Sequence, residues 1–216
     1  MQVTNEFLQN LRQDYKSATL DESDVDNNPI TQFKKWFDHA VDAQIHEPNV
    51  MTLATADKSG RPDARIVLLK GIDDKGFRFF TNYLSAKGKE LKRNPYAALV
   101  FFWPELERQV RVEGTVEKLD KETSEEYFKG RPIASQIGAI ASPQSQVIPN
   151  RSFLEEKFED LRAKSGDKAI AKPAHWGGYV VKPIRIEFWQ GRRSRLHDRV
   201  NFEWIKNEWV KSRLAP

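Results

Sequence analysis

Arg195, His197 and Arg199 fall at i, i+2 and i+4 near the end of the run Ile186-Glu187-Phe188-Trp189-Gln190-Gly191-Arg192-Arg193-Ser194-Arg195-Leu196-His197-Asp198-Arg199. In an extended chain those three side chains project from one face. Two permanent cations and one titratable imidazole on a small patch suit a doubly anionic ligand. The run reads as a strand, a turn and a returning strand, with Ile186 and Phe188 on one face, Glu187 and Trp189 on the other, and Gln190-Gly191 at the break. The competing reading of the same pattern is a solvated edge strand whose charges discourage pairing.

Other residues offer the same chemistry. Arg65 and Lys70 bracket the apolar stretch Ile66-Val67-Leu68-Leu69. Their five-residue offset turns them to opposite sides of a pleat, where each could hold its own anion, although basic ends on an apolar strand are also common solvated punctuation. Ser85-Ala86-Lys87-Gly88-Lys89 opens a helix, and free N–H groups beside Ser and Lys make a phosphate seat; a plain Ser N-cap explains the same residues. Tyr127, Arg131 and Ser135 recur at i, i+4 and i+8, a phosphate-binding set that would share a helix face were Gly130-Arg131-Pro132 not an expected break. Gln144-Ser145 adds neutral donors. Gln109 reads either as a satisfied core amide or as a partner for a heterocycle edge. His39 and His46 have no partner at ligand spacing and are assigned no role.

Composition excludes several classes. The 216 residues contain no cysteine, so disulfides, thiolate nucleophiles and Cys-based metal sites are ruled out, and a reducing compartment suits the chain. There is no glycine-rich dinucleotide fingerprint, phosphate loop, His-x-x-x-His pair or Gly-x-Ser-x-Gly elbow. The N-terminus lacks an apolar signal-like core, and the longest apolar run, Tyr96 to Trp103, is far short of a membrane span, so a soluble cytoplasmic protein is expected. Net charge is +4 overall, and residues 182–199 alone carry six cations against two acids. Several anion seats and aromatic walls without a nucleophile or metal point to an organic cofactor that does the chemistry while the protein positions it.

The elements that must hold these residues follow in order. Residues 1–28 read as a flexible N-terminal arm, acidic in its second half, with a short helical candidate from Phe7 to Tyr15. Pro29 opens a helix whose Phe33, Trp36, Phe37, Ala40, Val41 and Gln44 make one stripe. From Met51 the period changes to two. Strands are expected at Met51–Ala56, Asp63–Leu69, Phe77–Asn82, Tyr96–Trp103 and Arg108–Leu119, with a helix at Ser85–Arg93, which favours an antiparallel meander closing as a barrel. Helices follow at Lys121–Lys129, Ile133–Ala141 and Ser152–Lys164, then a strand at Tyr179–Trp189. Arg195–Val200 is the returning strand, and Phe202–Ile205 with Trp209–Lys211 form a last hairpin. At this length, one domain that buries roughly 70% of its unfolded surface is expected.

Glu187-Phe188-Trp189-Gln190 through Arg195-Leu196-His197-Asp198-Arg199 resembles the signature of the pyridoxine (pyridoxamine) 5′-phosphate oxidase family. The likeness extends in order through Arg65-Ile66-Val67-Leu68-Leu69-Lys70, Phe80-Thr81-Asn82, Leu106-Glu107-Arg108-Gln109-Val110, Arg131-Pro132, Ser135-Gln136-Ile137-Gly138-Ala139, Gln144-Ser145, Trp176-Gly177-Gly178 and Arg213-Leu214-Ala215-Pro216. It implies an α+β, mainly antiparallel, FMN-binding split β-barrel with flanking helices over residues 29–216, acting as a homodimer with sites at the interface. It further implies oxidation of pyridoxine and pyridoxamine 5′-phosphates to pyridoxal 5′-phosphate by dioxygen, giving hydrogen peroxide and, from the amine, ammonia. Arg65, Lys87, Gln144 and Ser145 would hold the phosphate end of FMN, and Val67, Leu68, Lys70, Phe80, Thr81, Gln109, Trp189 and Arg199 the rest. Lys70, Tyr127, Arg131 and Ser135 would grip the substrate phosphate. Arg195 and His197 would sit over the pyridine ring as the catalytic pair, and Arg12 with Tyr15 would close the site. Ala86 stands where family members often have Arg. Two alternatives use other chemistry: a split-barrel flavin reductase or non-catalytic FMN binder, which needs only one phosphate seat, and a nucleic-acid module suggested by the pI near 9.2 but opposed by the interspersed acids.

Overall fold

The computed structural model describes residues 4–11, 14–15, 18–165 and 170–216. In chain order these form α1 (Asn5–Asn10), α2 (Pro29–Asp42), β1 (Val50–Ala56), β2 (Pro62–Leu68), β3 (Gly71–Asp73), β4 (Gly76–Asn82), α3 (Ala86–Arg93), β5 (Tyr96–Trp103), β6 (Arg108–Lys118), α4 (Lys121–Lys129), α5 (Ile133–Ala141), α6 (Ser152–Ser165), β7 (Trp176–Gln190), β8 (Asp198–Ile205) and β9 (Glu208–Arg213). The strands run β2-β1-β5-β6-β7-β4-β3, with β8 on β7 and β9 on β8. The pairs β1–β2, β3–β4, β4–β7, β7–β8 and β8–β9 are antiparallel. No described helix is long and apolar enough to cross a membrane.

The chain divides into two compact units, one of Met1–Pro48, Val100–Arg111 and Arg185–Pro216, the other of Asn49–Leu99 and Val112–Ile184. In the first, α2 is started by Asn28, whose side chain accepts from the Ile30 and Thr31 amides, with Pro29 in the first turn. Its Phe33 packs edge-on to Phe101 at 4.9 Å and its Trp36 edge-on to Phe188 at 5.2 Å. The expected stripe is narrower than its spacing implies. Val41 is 51% exposed and Gln44 lies past the end of the helix at a φ of 55°, so the buried line is Ile30, Phe33, Trp36 and Ala40. The Phe7–Tyr15 helix is also corrected: α1 ends at Asn10, because the Leu11 amide closes back on Leu8 and Leu11 leaves helical geometry.

In the second unit, β1 alternates buried Met51 and Leu53 with half-buried neighbours, as its period-two pattern requires. The late strand begins three residues earlier than expected, at Trp176. Gly177 and Gly178 pair with Thr81 and Phe80 rather than breaking the strand. Bare backbone is needed there: a Cβ on Gly178 would stand 2.5 Å from the Leu119 side chain and 2.8 Å from the Phe80 ring. The return strand is likewise corrected, beginning at Asp198 instead of Arg195.

Helix α3 is seated by Ser85, whose fully buried hydroxyl donates to the Asn82 carbonyl at 2.7 Å and accepts from the Gly88 amide at 3.3 Å. A Cβ on Gly88 would lie 2.3 Å from the Tyr83 carbonyl oxygen, so helix and preceding turn touch backbone to backbone. Gly88→Ala should therefore push α3 outward and cost roughly 1–3 kcal/mol, as overpacked sites do. Thermal or denaturant unfolding measures this, and an unchanged midpoint would refute the tight contact.

Candidate functional site

A cavity of about 990 Å³ opens in the second unit. Strand β2 and the residues after it supply Arg65, Ile66, Val67, Leu68 and Lys70; the end of β4 supplies Phe80, Thr81 and Asn82; α3 supplies Ala86 and Lys87. Tyr127, Arg131, Ser135, Gln144, Ser145 and Trp176 complete much of the wall, and Asp63 is the one acid in it among the described residues. Tyr127, Arg131 and Ser135 do not share one helix, since α4 stops at Lys129 and α5 starts at Ile133, yet all three face the same space. Arg65 and Lys70 also line it together, instead of facing opposite sides of a pleat. The strand ends at Leu68, so Lys70 no longer follows its alternation.

The cations differ in what meets them. Arg65 is satisfied: its guanidinium donates to the Leu53 carbonyl, the Thr55 hydroxyl, Asp63 and, at 3.1 Å, Glu90. Lys87 is only 8% exposed, and among the described residues its Nζ reaches neutral oxygens alone: Gln144 Oε1 at 3.2 Å, Thr81 Oγ1 at 3.3 Å and Ser85 Oγ at 3.4 Å. Burial, then the charge of Arg65, draws its ammonium below the usual lysine range. Arg131 lies over the Trp176 ring at 4.7 Å, and its Nη1 is buried with no hydrogen-bond partner among the described residues. Burial lowers its pKa as well. Desolvated cations facing neutral groups or nothing are sites for an anion.

Beside them stands a flat aromatic wall. Phe80 and Tyr127 stack at 3.8 Å and 9°, and Trp176 lies nearly parallel to Phe80 at 5.6 Å. Trp176 was not among the predicted site residues. The signal for it is the glycine pair that follows, because two bare strand positions beside an aromatic leave room for large neighbours such as Phe80.

The remaining predicted residues belong to the first unit. Gln109 is half-buried near the start of β6. Trp189 and the His197 ring are 4.6 Å apart, and Tyr15 lies edge-on to both at 5.7 Å. Gly191 makes room for Tyr15, since a Cβ there would be 2.7 Å from its ring. Arg195, His197 and Arg199 do not share a strand face. Arg193–Arg195 form a short 3-10 turn, Ser194 and Arg195 have φ of 56° and 62°, and Arg195 is exposed. Arg199 donates to both oxygens of buried Glu187 at 2.9 Å, and to the Ala215 carbonyl at 2.8 Å. Arg12 lies outside the described residues.

With that geometry in place, comparison with known proteins is informative. Residues 37–165 match the family described as pyridoxamine 5′-phosphate oxidase, and residues 176–216 match the pyridoxine 5′-phosphate oxidase C-terminal dimerisation region. A Salinibacter ruber protein named pyridoxine/pyridoxamine 5′-phosphate oxidase is 56% identical over 212 residues, covering 97% of this chain and 99% of that one. One of the same name from Acaryochloris marina is 52% identical over 213 residues, covering 99% and 97%. Among solved structures, PhzG from Burkholderia lata 383, in complex with tetrahydrophenazine-1-carboxylic acid, superposes with a TM-score of 0.87 at 31% identity, covering 92% of this chain and 98% of that one. A Nostoc punctiforme protein described as pyridoxamine 5′-phosphate oxidase-related and FMN binding has a TM-score of 0.69 at 18% identity, covering 85% and 97%, a likeness of fold. The fold class expected from the sequence, antiparallel β in a split barrel with flanking helices, is the one these likenesses give.

The histidine of the first unit carries its own test. His197 Nδ1 accepts from the Arg192 amide at 3.1 Å, so the neutral ring keeps its proton on Nε2. Burial, followed by the charge of Arg195, holds the imidazole below the ordinary 6.5, against the opposing pull of Asp198. The unfolded chain then binds the proton more readily, so this residue favours unfolding as pH falls below about 6.5. Stability should rise with pH through the window from the lowered folded value up to about 6.5 and level off above it. His197→Gln should flatten that segment, and an NMR titration midpoint at or above the ordinary value would refute the assignment.

Proposed function

The chain belongs to the pyridoxamine 5′-phosphate oxidase family, and from that premise we propose that it oxidises pyridoxine and pyridoxamine 5′-phosphates to pyridoxal 5′-phosphate with bound FMN and dioxygen. The observation that carries this reading is one cavity holding two sets of anion-binding groups beside parallel aromatic rings. Lys87 with Thr81, Gln144 and Ser145 forms one set; Arg131 with Tyr127, Ser135 and Lys70 forms the other. The buried, unpartnered Nη1 of Arg131 and the neutral surroundings of the Lys87 ammonium fit phosphate esters, which would supply the missing negative charge.

In this assignment Arg65, Lys87, Gln144 and Ser145 hold the FMN phosphate, while Val67, Leu68, Lys70, Phe80, Thr81, Gln109, Trp189 and Arg199 line the remainder of the cofactor. Lys70, Tyr127, Arg131 and Ser135 bind the substrate phosphate. FMN, when bound, would supply two-electron redox chemistry between the vitamer and dioxygen. The chain's part is to fix both esters so that the rings lie against each other, which removes orientational freedom from the reacting pair. Arg195 orients the pyridine ring electrostatically, His197 hydrogen-bonds it, and Tyr15 closes over it. Ala86 leaves the ammonium of Lys87 as the cationic partner that α3 gives the cavity. Each site would draw on a homodimer interface, a reading supported by the match of residues 176–216 to a dimerisation region.

Purified protein should turn yellow with one FMN per protomer, then consume dioxygen and release hydrogen peroxide with either vitamer phosphate. Arg131→Ala should raise the KM for the phosphate ester about 10–100-fold while FMN still binds, the scale of losing a charge-assisted bond. Lys87→Ala should instead weaken FMN. A protein that stays colourless with FMN would overturn the proposal, and an unchanged KM for the phosphate ester in Arg131→Ala would favour a flavin reductase.

A further inference from the structure

Asp198 follows His197 in sequence and is the meeting point of three separate segments. Its Oδ2 accepts from the Leu20 amide at 3.0 Å and from Arg192 Nη1 at 2.9 Å, while its Oδ1 accepts from Arg213 Nη1 at 2.8 Å. Each donor leads elsewhere. Arg213 also donates to the Leu20 carbonyl at 3.0 Å and, through Nε and Nη2, to both oxygens of Glu22 at 2.7 Å. Lys211 donates to the carbonyls of Glu22 and Val25 at 2.8 and 2.9 Å. Segment 20–25 is thus held by side chains of β8 and β9 that bond its backbone and the Glu22 carboxylate, and its Leu20 and Val25 are each only 4% exposed. A few residues upstream, Tyr15 sits on His197 and Trp189.

The Arg192 branch leads to the imidazole. The same residue whose guanidinium is held by Asp198 donates its backbone amide to His197 Nδ1 at 3.1 Å. One carboxylate, its side chain 15% exposed, therefore grips both the N-terminal segment and the residue that sets the histidine tautomer. Arg192 without its ion pair could leave the His197 ring free to turn, and Leu20 without its acceptor could undock Tyr15.

We propose that Asp198 is a positioning residue: it couples docking of the N-terminal segment to the orientation of His197, with Arg213 and Glu22 as the latch that keeps the segment in place. The consequence for turnover rests on the oxidase reading above, since it assumes that His197 and Tyr15 face the substrate. Specificity for the vitamer would then depend on residues that never touch it. The competing role is a purely structural ion cluster that braces a strand end.

The test compares Asp198→Asn with the parent holoenzyme by three readouts. Hydrogen exchange at the Leu20 amide should accelerate about tenfold or more once its charged acceptor is lost, while Met51 and Leu53 amides in β1 keep their rates. Imidazole nitrogen shifts of His197 should change from a fixed Nε2–H form to a tautomer mixture. KM for pyridoxamine 5′-phosphate should rise about tenfold with kcat and FMN affinity largely kept. Unchanged Leu20 exchange together with unchanged His197 shifts would overturn the proposal. Faster Leu20 exchange with neither the His197 shifts nor KM altered would also overturn it, leaving a structural brace. Should the parent itself lack oxidase activity, the functional reading falls, whereas exchange and imidazole shifts still judge the coupling. If Asp198→Asn does not fold, Arg213→Gln releases the same segment from β9 and should speed Leu20 exchange, with Arg213→Lys restoring part of it; no acceleration would again overturn the proposal.

Discussion

A positive charge taken out of water without a carboxylate to meet it is the condition on which this cavity turns. Among the described residues, Lys87 and Arg131 have no acid within ion-pair distance, although both are partly or wholly desolvated. The desolvation of an ion costs several kcal/mol in real proteins, and neutral hydroxyl or amide oxygens return only part of it. A chain selected for stability alone would neutralise such groups. Keeping them charged and poorly paired is useful when a ligand brings the counter-charge, because binding then recovers the deficit as affinity. Arg65 makes the contrast within the same wall: Asp63 and Glu90 already answer it, so its contribution to an anion is orientation more than net charge.

Holding an unsatisfied cation requires a frame that cannot relax to satisfy it. Lys87 projects from the second position of a helix whose first turn is capped by Ser85 and pressed against the Tyr83 backbone at Gly88. Arg131 is clamped differently. It occupies the break between α4 and α5, its carbonyl accepts from Gln136 Nε2 at 2.8 Å, and its guanidinium carbon stands 4.7 Å from the centre of the Trp176 ring. The aromatic wall therefore does two things. It presents parallel rings to the cavity, and it holds a cation in place by its π-face without offering a competing acceptor.

How much of this was legible in the sequence depended on whether the signal was local. The helix start at Pro29, the alternation of Met51–Ala56 and the Ser85 helix start depend on neighbours in the chain, and the structure has all three. Residue types also foretold anion chemistry at Lys87, Tyr127, Arg131 and Ser135. Spacing arguments failed where an element ended inside the pattern. Arg195, His197 and Arg199 were read as one extended face, but two left-handed residues turn the chain before His197. Lys70 was assigned to a pleat that stops at Leu68. Long-range partners are invisible to periodicity: nothing near Arg199 in sequence announces that Glu187 will accept from two of its three nitrogens, or that Arg213 will reach back to Glu22.

The two units solve opposite electrostatic problems with the same residue types. Around β8 and β9 every arginine that carries structure has its acid: Arg199 with Glu187, Arg192 with Asp198, Arg213 with Glu22 and Asp198. These pairs fix segments distant in sequence, and the exposed Arg213–Glu22 pair adds little stability by itself, so its value lies in geometry more than in stability. In the cavity of the other unit acids are withheld from Lys87 and Arg131 among the described residues, and those two cations wait for a ligand. A basic balance that looks unremarkable as a net charge of +4 thus divides into paired charge that positions and unpaired charge that binds. That division, rather than the total, is what the chemistry of the site requires.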